Sequence, residues 1–452
     1  MVTENPITRP ETGARVCDPQ HPGLPGDVSP LGEPRPGSAT QDADFPKNSS
    51  PEPRSADLPV CGFTEAPGSV SLAAQGPNAL SGAGILPACC SMSPTVQGRN
   101  APNLSVNSHS LQAVNPADFG DWDTKVQSHP HYSFFHGAAW AKVLQDTYGF
   151  TPLYLTNGAA GQDQSLLPVM EVRSWLTGRR GVGLPFTDDS RPLCGGADAF
   201  PKLFSKAVEE GRKRGWKSLE CRGGREGLEN ATPSLAFYGH YVALDVDEAR
   251  LFAHLDSSAR RAVRKAEKSG VTTEISRGAE AMRTFYRLQC RTRKKHGLPP
   301  QPFAFFRNIQ KHILSQNLGI VVTASHQGRP IAASVYFQLG ERAIYKFGAS
   351  DERFQEFRGT NLVMWEAIKW HAAHGARSLH LGRTSLANDG LRRSKLGWGA
   401  REERIEYVKY DLRADRFVAD HDETSGWHTR VFRRMPGPLA RLAGALLYRH
   451  IA

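Results

Sequence analysis

Arg358-Gly359-Thr360-Asn361 stands directly before a stretch with helical spacing, Asn361–His374. Free amides and the macrodipole at a helix N-terminus make a ready anion site, and a glycine there lets backbone approach a phosphate closely. The same four residues also suit an ordinary strand-to-helix turn capped by Thr360 or Asn361. Other constellations carry less chemistry. His129, His131 and His136 have no acidic or cysteine partner at metal spacing, so no metal site is expected. The successive side chains of Asp188 and Asp189 diverge, which reads as a turn. Ser257-Ser258 reads as a helix N-cap rather than a nucleophile elbow. Spacing supports no Ser/His/Asp arrangement, no Walker loop and no dinucleotide fingerprint. The seven cysteines are scattered without a CxxC pair, which argues against a zinc site or a disulfide scaffold and for a reducing cytoplasm.

The elements around that turn give it a setting. Ile320–Ser325, Ile331–Leu339 and Ala343–Gly348 read as three strands with hairpin spacing. The helix Asn361–His374 follows, with Leu362, Trp365, Ile368 and Ala372 on one stripe, then a buried strand at Ser378–Leu381. A strand laid beside the third one after a helical crossover must run parallel to it. A sheet that switches from antiparallel to parallel pairing can splay there and offer unpaired backbone groups to a linear ligand. An earlier stretch has the same order: a helix over Tyr132–Tyr148, strands at Pro152–Thr156, Ser165–Val172 and Gly181–Pro185, a helix over Phe200–Arg214 and a strand at Trp216–Cys221. Gly215–Gly223 also parallels Gly375–Arg383 residue by residue. Meander, helix and strand, used twice, indicate an internal duplication. Helices are further expected at Ser257–Ser269, Ala279–His296 and Phe303–Gln316.

Composition divides the 452 residues unevenly. Residues 1–116 hold 18 of the 31 prolines, 6 Lys/Arg against 10 Asp/Glu, and only two aromatic residues, Phe45 and Phe63. Such a segment cannot bury enough apolar surface to offset chain entropy, so it is expected to be a disordered Pro/Gly/Ser-rich tail. The remainder carries 50 basic and 35 acidic side chains, an excess that favours anionic ligands such as nucleotide phosphates, tRNA or an acidic membrane surface. The expected divisions are 117–245 as a first half on the acceptor side, 246–415 as a second half on the donor and catalytic side, and 416–452 as a basic amphipathic extension. In that extension Pro436 and Pro438 confine any continuous helix to the residues after them, and such a helix suits packing on the body of the protein first and an anionic membrane surface second. No run reaches the roughly 18 apolar residues of a spanning helix, and no secretory signal pattern opens the chain.

Three strands, a helix with an anion-binding turn, and a parallel strand resemble the core of the GNAT acyltransferases. In that family a pantetheine chain lies in the splayed gap and its pyrophosphate sits on the turn. The family's loop reads Arg/Gln-x-x-Gly-x-Gly/Ala, where this chain has Glu356-Phe357-Arg358-Gly359-Thr360-Asn361. Residues 119–410 resemble more specifically the FemAB-like and CelD-like branch. The matching stretches are His129–Trp140 with Tyr148–Pro152, Leu184–Asp188, Ser257–Ala266, Phe285–Leu288 with Arg293 and Gly297, Asn361–Glu366, Leu381–Arg383 and Lys395–Ala400. The resemblance implies an α/β fold with mixed sheets: two tandem GNAT-like domains behind the N-terminal tail. The strand before Gly382 usually carries an acidic residue in this branch, where this chain has His380. The basic stretch Ser257–Ser269 is far shorter than the helical hairpin common in tRNA-using members.

Acyl transfer then assigns roles. The resemblance places a lysine at Lys395, whose charge would meet a developing oxyanion. Arg383 is a candidate to hold an anionic acceptor or phosphate. Tyr345 is a candidate to donate to the oxyanion or to protonate a leaving thiolate. Arg358, Gly359, Thr360, Asn361 and Phe347 are assigned to the donor, and Ser385, Asn388, Trp398 and Asp188 to the acceptor. The function implied is transfer of an acyl or aminoacyl group from acyl-CoA to an amine or hydroxyl of a cell-envelope or exopolysaccharide precursor, by a cytoplasmic enzyme with peripheral membrane contact through the C-terminal helix. The alternatives are an aminoacyl-tRNA-dependent peptidoglycan-bridge ligase and a non-catalytic binding module on the same fold.

Overall fold

The computed structural model describes residues 111–157, 165–420 and 427–451. The expected tail falls mostly outside these residues. Gln112–Val114 is already a strand, paired antiparallel with Tyr154–Thr156, so folded chain begins before residue 117. A third short strand, Leu166–Leu167, completes that small sheet.

The main sheet has twelve strands among the described residues. They are β1 (Thr151–Pro152), β2 (Met170–Ser174), β3 (Gly178–Val182), β4 (Ser218–Arg222), β5 (Leu235–Ala243), β6 (Val271–Ser276), β7 (Gly319–His326), β8 (Arg329–Leu339), β9 (Arg342–Ser350), β10 (Ser378–Ser385), β11 (Arg401–Asp411) and β12 (Arg416–Phe417). Their spatial order is β1-β2-β3-β4-β11-β5-β10-β9-β8-β7-β6, with β12 on β11. The helices that matter here are α1 (Ala138–Tyr148), α2 (Ala199–Arg214), α3 (Ser257–Lys268), α4 (Ala279–Lys295), α5 (Phe303–His312), α6 (Gly359–Ala373), α7 (Asp389–Leu396), α8 (Trp427–Arg434) and α9 (Gly437–Leu447).

Local sequence explains the meander β7–β8–β9. Gln327 and Gly328 both adopt positive φ, 51° and 74°, which is the twist a two-residue hairpin loop needs. Ile320, Val321, Val322 and Ala324 are all buried, so β7 is covered on both faces. One face packs on Phe285, Phe305, Phe306 and Ile309 of α4 and α5. The other packs on α6, which buries Val363, Met364, Ala367 and His371 as well as its expected stripe because α3 covers its outer side.

Each half contains one parallel pair closed by a helical crossover. β3 and β4, joined through α2, are held by Gly181 opposite Leu219 and Val182 opposite Glu220. β9 and β10, joined through α6, are held from Arg342 opposite Ser378 to Ile344 opposite His380. The repeated order read from the sequence is therefore matched by one helix-crossed parallel pair in each half. The halves also exchange strands. β5 follows β4 in the chain but pairs with β10, and β11 follows β10 but pairs with both β4 and β5. The result is one continuous sheet.

Three local expectations change. The helix expected over Tyr132–Tyr148 starts at Ala138, because Gly137 is extended and only a single tight turn, Phe134–His136, precedes it. The strand expected at Gly181–Pro185 ends at Val182, because Leu184 and Phe186 take left-handed φ of 51° and 62°. The cap of α3 is Asp256, whose carboxylate accepts from Ala259 N, and not Ser257 or Ser258.

Candidate active site

The parallel pair β9–β10 opens after Ile344 and His380. On β9 the next residue is Tyr345, and a bulge follows: Val335 of β8 faces Phe347 while Tyr336 faces Tyr345, so Lys346 is the extra residue. On β10 the pairing with β5 also breaks, between His380 opposite Tyr241 and Arg383 opposite Gly239. Gly382 supplies the positive φ of 77° that this second bulge requires. Two bulges therefore flank one gap in the sheet.

Lys346 turns inward. Its Nζ donates to Phe186 O at 2.6 Å and lies 3.1 Å from Asp188 Oδ2, with the rings of Phe135, Trp140 and Phe347 around it. The loop Leu184–Ser190 that delivers Asp188 is buried and carries the two left-handed residues already noted, a strained segment of the kind that clusters at functional sites. Burial alone would raise the Asp188 carboxyl, but the Lys346 ammonium, with His380 and Arg383, outweighs it and holds the group at about 2. His380 stacks on Tyr241 with ring centroids 4.5 Å apart. Burial lowers its imidazole to about 4 against the pull of Asp188 and Asp189, so it is neutral near pH 7. Its Nε2 and the hydroxyl of Thr384 have no hydrogen-bond partner among the described residues. Arg383 donates to Tyr407 Oη at 2.9 Å and lies over the Phe237 ring at 4.2 Å. Tyr407 in turn donates to Asp188 O at 2.6 Å. Asp189 is held by Arg191, which also bonds Glu403.

Several assigned residues have other work. Lys395 is buried, and its Nζ, expected to meet an oxyanion, donates to Gly382 O at 2.9 Å and Arg383 O at 3.0 Å. It thereby ties α7 to the β10 bulge. Phe347 is 1% exposed and packs with Phe285, Phe305 and Phe306, so it is a core residue and not a wall of the donor site. Trp398 is likewise buried in the core beneath α6. Asn388 caps α7 by accepting from Leu391 N, and Ser385 O accepts from Asn388 N. Tyr345 stays beside the gap. It packs on Tyr336, and its hydroxyl lies over Gly348, where any side chain would collide with it.

The turn before α6 also differs from its expectation. Arg358, with φ 55°, is the N-cap, and no side chain caps the helix, so neither Thr360 nor Asn361 does. Gly359 is buried, and a Cβ there would sit 2.9 Å from Ile331 Cδ1 and 3.5 Å from Ala324 Cβ. The glycine lets α6 approach β8 and β7 closely, so packing contributes to its placement. Thr360 and Asn361 are half-buried in the first turn.

Sequence reading missed Lys346 and its pairing with Asp188. The signal was present: a single charge inside the run Ala343-Ile344-Tyr345-Lys346-Phe347. It also met His380 only as a departure from a pattern, and passed over His240. His240 is fully buried on β5, 3.3 Å from Glu402, and burial together with the nearby Lys395 charge lowers it to about 4.

Residues 254–393 match the family model for the acetyltransferase (GNAT) domain. No curated protein matches the chain. Among solved structures, the crystal structure of FemX superposes with a TM-score of 0.54 at 14% identity, covering 66% of this chain and 96% of that one. A tandem GNAT protein from the clavulanic acid biosynthesis pathway gives 0.44 at 11% identity, covering 67% and 98%. The C-terminal domain of a putative lysylphosphatidylglycerol synthetase from Agrobacterium fabrum gives 0.42 at 15% identity, covering 60% and 86%. The match runs from just before α3 into α7, so it contains the β9–β10 gap, and residues 254–393 are similar to a GNAT acetyltransferase domain.

Proposed function

We propose that this protein is an acyltransferase that moves an acyl or aminoacyl group from acyl-CoA to an amine or hydroxyl of a cell-envelope or exopolysaccharide precursor. The observation that carries the reading is the gap between β9 and β10 inside the matched domain, flanked by two bulges. Strand edges that separate leave backbone donors and acceptors for an extended, amide-rich chain such as pantetheine. The acceptor's nitrogen or oxygen attacks the thioester carbonyl, the new bond forms and the C–S bond breaks; the nucleophile releases its proton to water, and the leaving thiolate takes one, which water restores to the donor. Tyr345, the first residue past the last β9–β10 pair, is the candidate donor of that proton. His380 offers a neutral Nε2 without a partner, and a basicity lowered to about 4 suits it to orient a substrate by hydrogen bonding rather than to hold a proton. Arg383 is the candidate anchor for an anionic group, Lys395 fixes the bulge that presents Arg383, and Asp188 with Lys346 holds the first-half loop against the gap.

Calorimetric titration of CoA and acetyl-CoA into the full-length protein tests the donor. One-to-one binding that weakens in His380→Ala and Arg383→Gln, with both variants folded, is expected. Binding of aminoacyl-tRNA in the absence of any CoA binding shifts the assignment to the tRNA-dependent ligase. Failure to bind either donor removes the acyl-transfer reading and leaves the binding module.

A further inference from the structure

The last helix packs by one side only. Ala440, Gly444 and Tyr448 are buried, and Gly444 lies so close to Pro300 O that a Cβ there would collide with it. Leu439, Leu442 and Leu446 are 55%, 57% and 60% exposed. At 100° per residue these three fall within an arc of about 60°. The helix is thus anchored along one stripe and presents a second apolar stripe to solvent. The β2–β3 hairpin, which contacts His450 just beyond α9, carries further exposed apolar side chains. Its Trp175 is 86% exposed and Leu176 is 44% exposed. The hairpin is tied to the end of the chain: Ser174 Oγ lies 3.0 Å from His450 Nδ1, Thr177 Oγ1 donates to His450 O at 3.0 Å, and Trp175 meets the His450 ring edge-on.

The C-terminal segment carries charge of one sign, while Arg283 and Arg287 of the neighbouring α4 pair with Glu280. From Trp427 to the end of the sequence there are five arginines (Arg430, Arg433, Arg434, Arg441, Arg449) and no acidic residue. Beside α9, a groove of about 560 Å³ is lined by Tyr286, Phe303 and Leu442 together with Arg283, Arg287 and Arg441. Exposed leucines, an exposed tryptophan and surrounding arginines are the composition of a helix lying in a bilayer interface, where the apolar stripe enters the acyl boundary and the cations meet lipid phosphates. A soluble helix facing only water gains nothing from that stripe. We infer that α9 and the Trp175 hairpin form a docking surface for an anionic phospholipid bilayer. This inference stands on its own residues and does not depend on the donor or acceptor assigned above.

Co-sedimentation of the full-length protein with phosphatidylglycerol-containing and with pure phosphatidylcholine vesicles tests it. Binding to the anionic vesicles that falls steeply with salt is expected, with little binding to the neutral ones. Leu442→Glu/Leu446→Glu should weaken that binding on the order of tenfold or more, by removing two leucines from the buried contact and adding repulsion. Trp175→Ala, a change in an exposed turn, should weaken it by a smaller factor while leaving the melting temperature unchanged. No binding to anionic vesicles overturns the proposal, as does equal binding by the double variant. A concentration-dependent dimer that the double variant abolishes, with no vesicle binding, overturns it in favour of self-association.

Discussion

Lys346 and Asp188 form an ion pair of 3.1 Å in which the lysine side chain is wholly buried and the aspartate nearly so. The partners lie 158 residues apart in the chain, one on the bulge of β9 and one on the loop after β3. The pair joins the two halves at the edge of the sheet opening. Removing Lys346 leaves the buried Asp188 carboxylate without the ammonium that chiefly offsets its burial. Lys346→Met is therefore expected to destabilise by about 3–5 kcal/mol, and Lys346→Met/Asp188→Asn by much less than the sum of the single changes. Urea unfolding of the four proteins measures the coupling, and additive losses would show that the contact is not formed.

Lys395→Met should lower stability. Its ammonium satisfies the carbonyls of Gly382 and Arg383, and a buried acceptor left without a donor costs about 1–3 kcal/mol. An unchanged unfolding midpoint would show that Lys395 does not hold these carbonyls.

Stability should fall as pH drops below neutral. Burial lowers His136, His240 and His380 to about 4 and His371 to about 3. The unfolded chain takes up these protons near pH 6.5, while the folded chain refuses them until pH 4 or below. The stabilisation is thus complete above about pH 6.5 and is lost as pH falls toward 4, by at most about 1.4 kcal/mol per pH unit for each histidine. Urea midpoints from pH 7.5 to 5 measure the slope, and His380→Gln should make it shallower. An identical slope in that variant would mean that His380 is not buried as a neutral ring.

Gly359→Val should destabilise by about 1–3 kcal/mol through overpacking against Ile331, and Ile331→Ala should partly relieve it. Thermal unfolding of the single and double variants decides this. If Gly359→Val is as stable as wild type yet loses CoA, the glycine serves a ligand rather than the helix.

What the sequence determined by itself was everything encoded in contiguous residues. The meander, the crossover helix and the strand after it follow from hydrophobic period and from turn residues such as Gln327-Gly328, and the duplication follows from that order appearing twice. Tertiary structure decided the centre of the sheet. β5 and β11 escaped notice because Arg401–Asp411 opens on four consecutive charges and Leu235–Ala243 is broken by Gly239 and His240. Their partners are also set by an exchange between halves that no local period encodes. The site divides in the same way. Arg383 and Tyr345 could be found from their positions on recognisable strands. The burial of Lys395, the core role of Phe347 and the meeting of Asp188 with Lys346 depend on which chain segments close over them, and long-range packing alone fixes that.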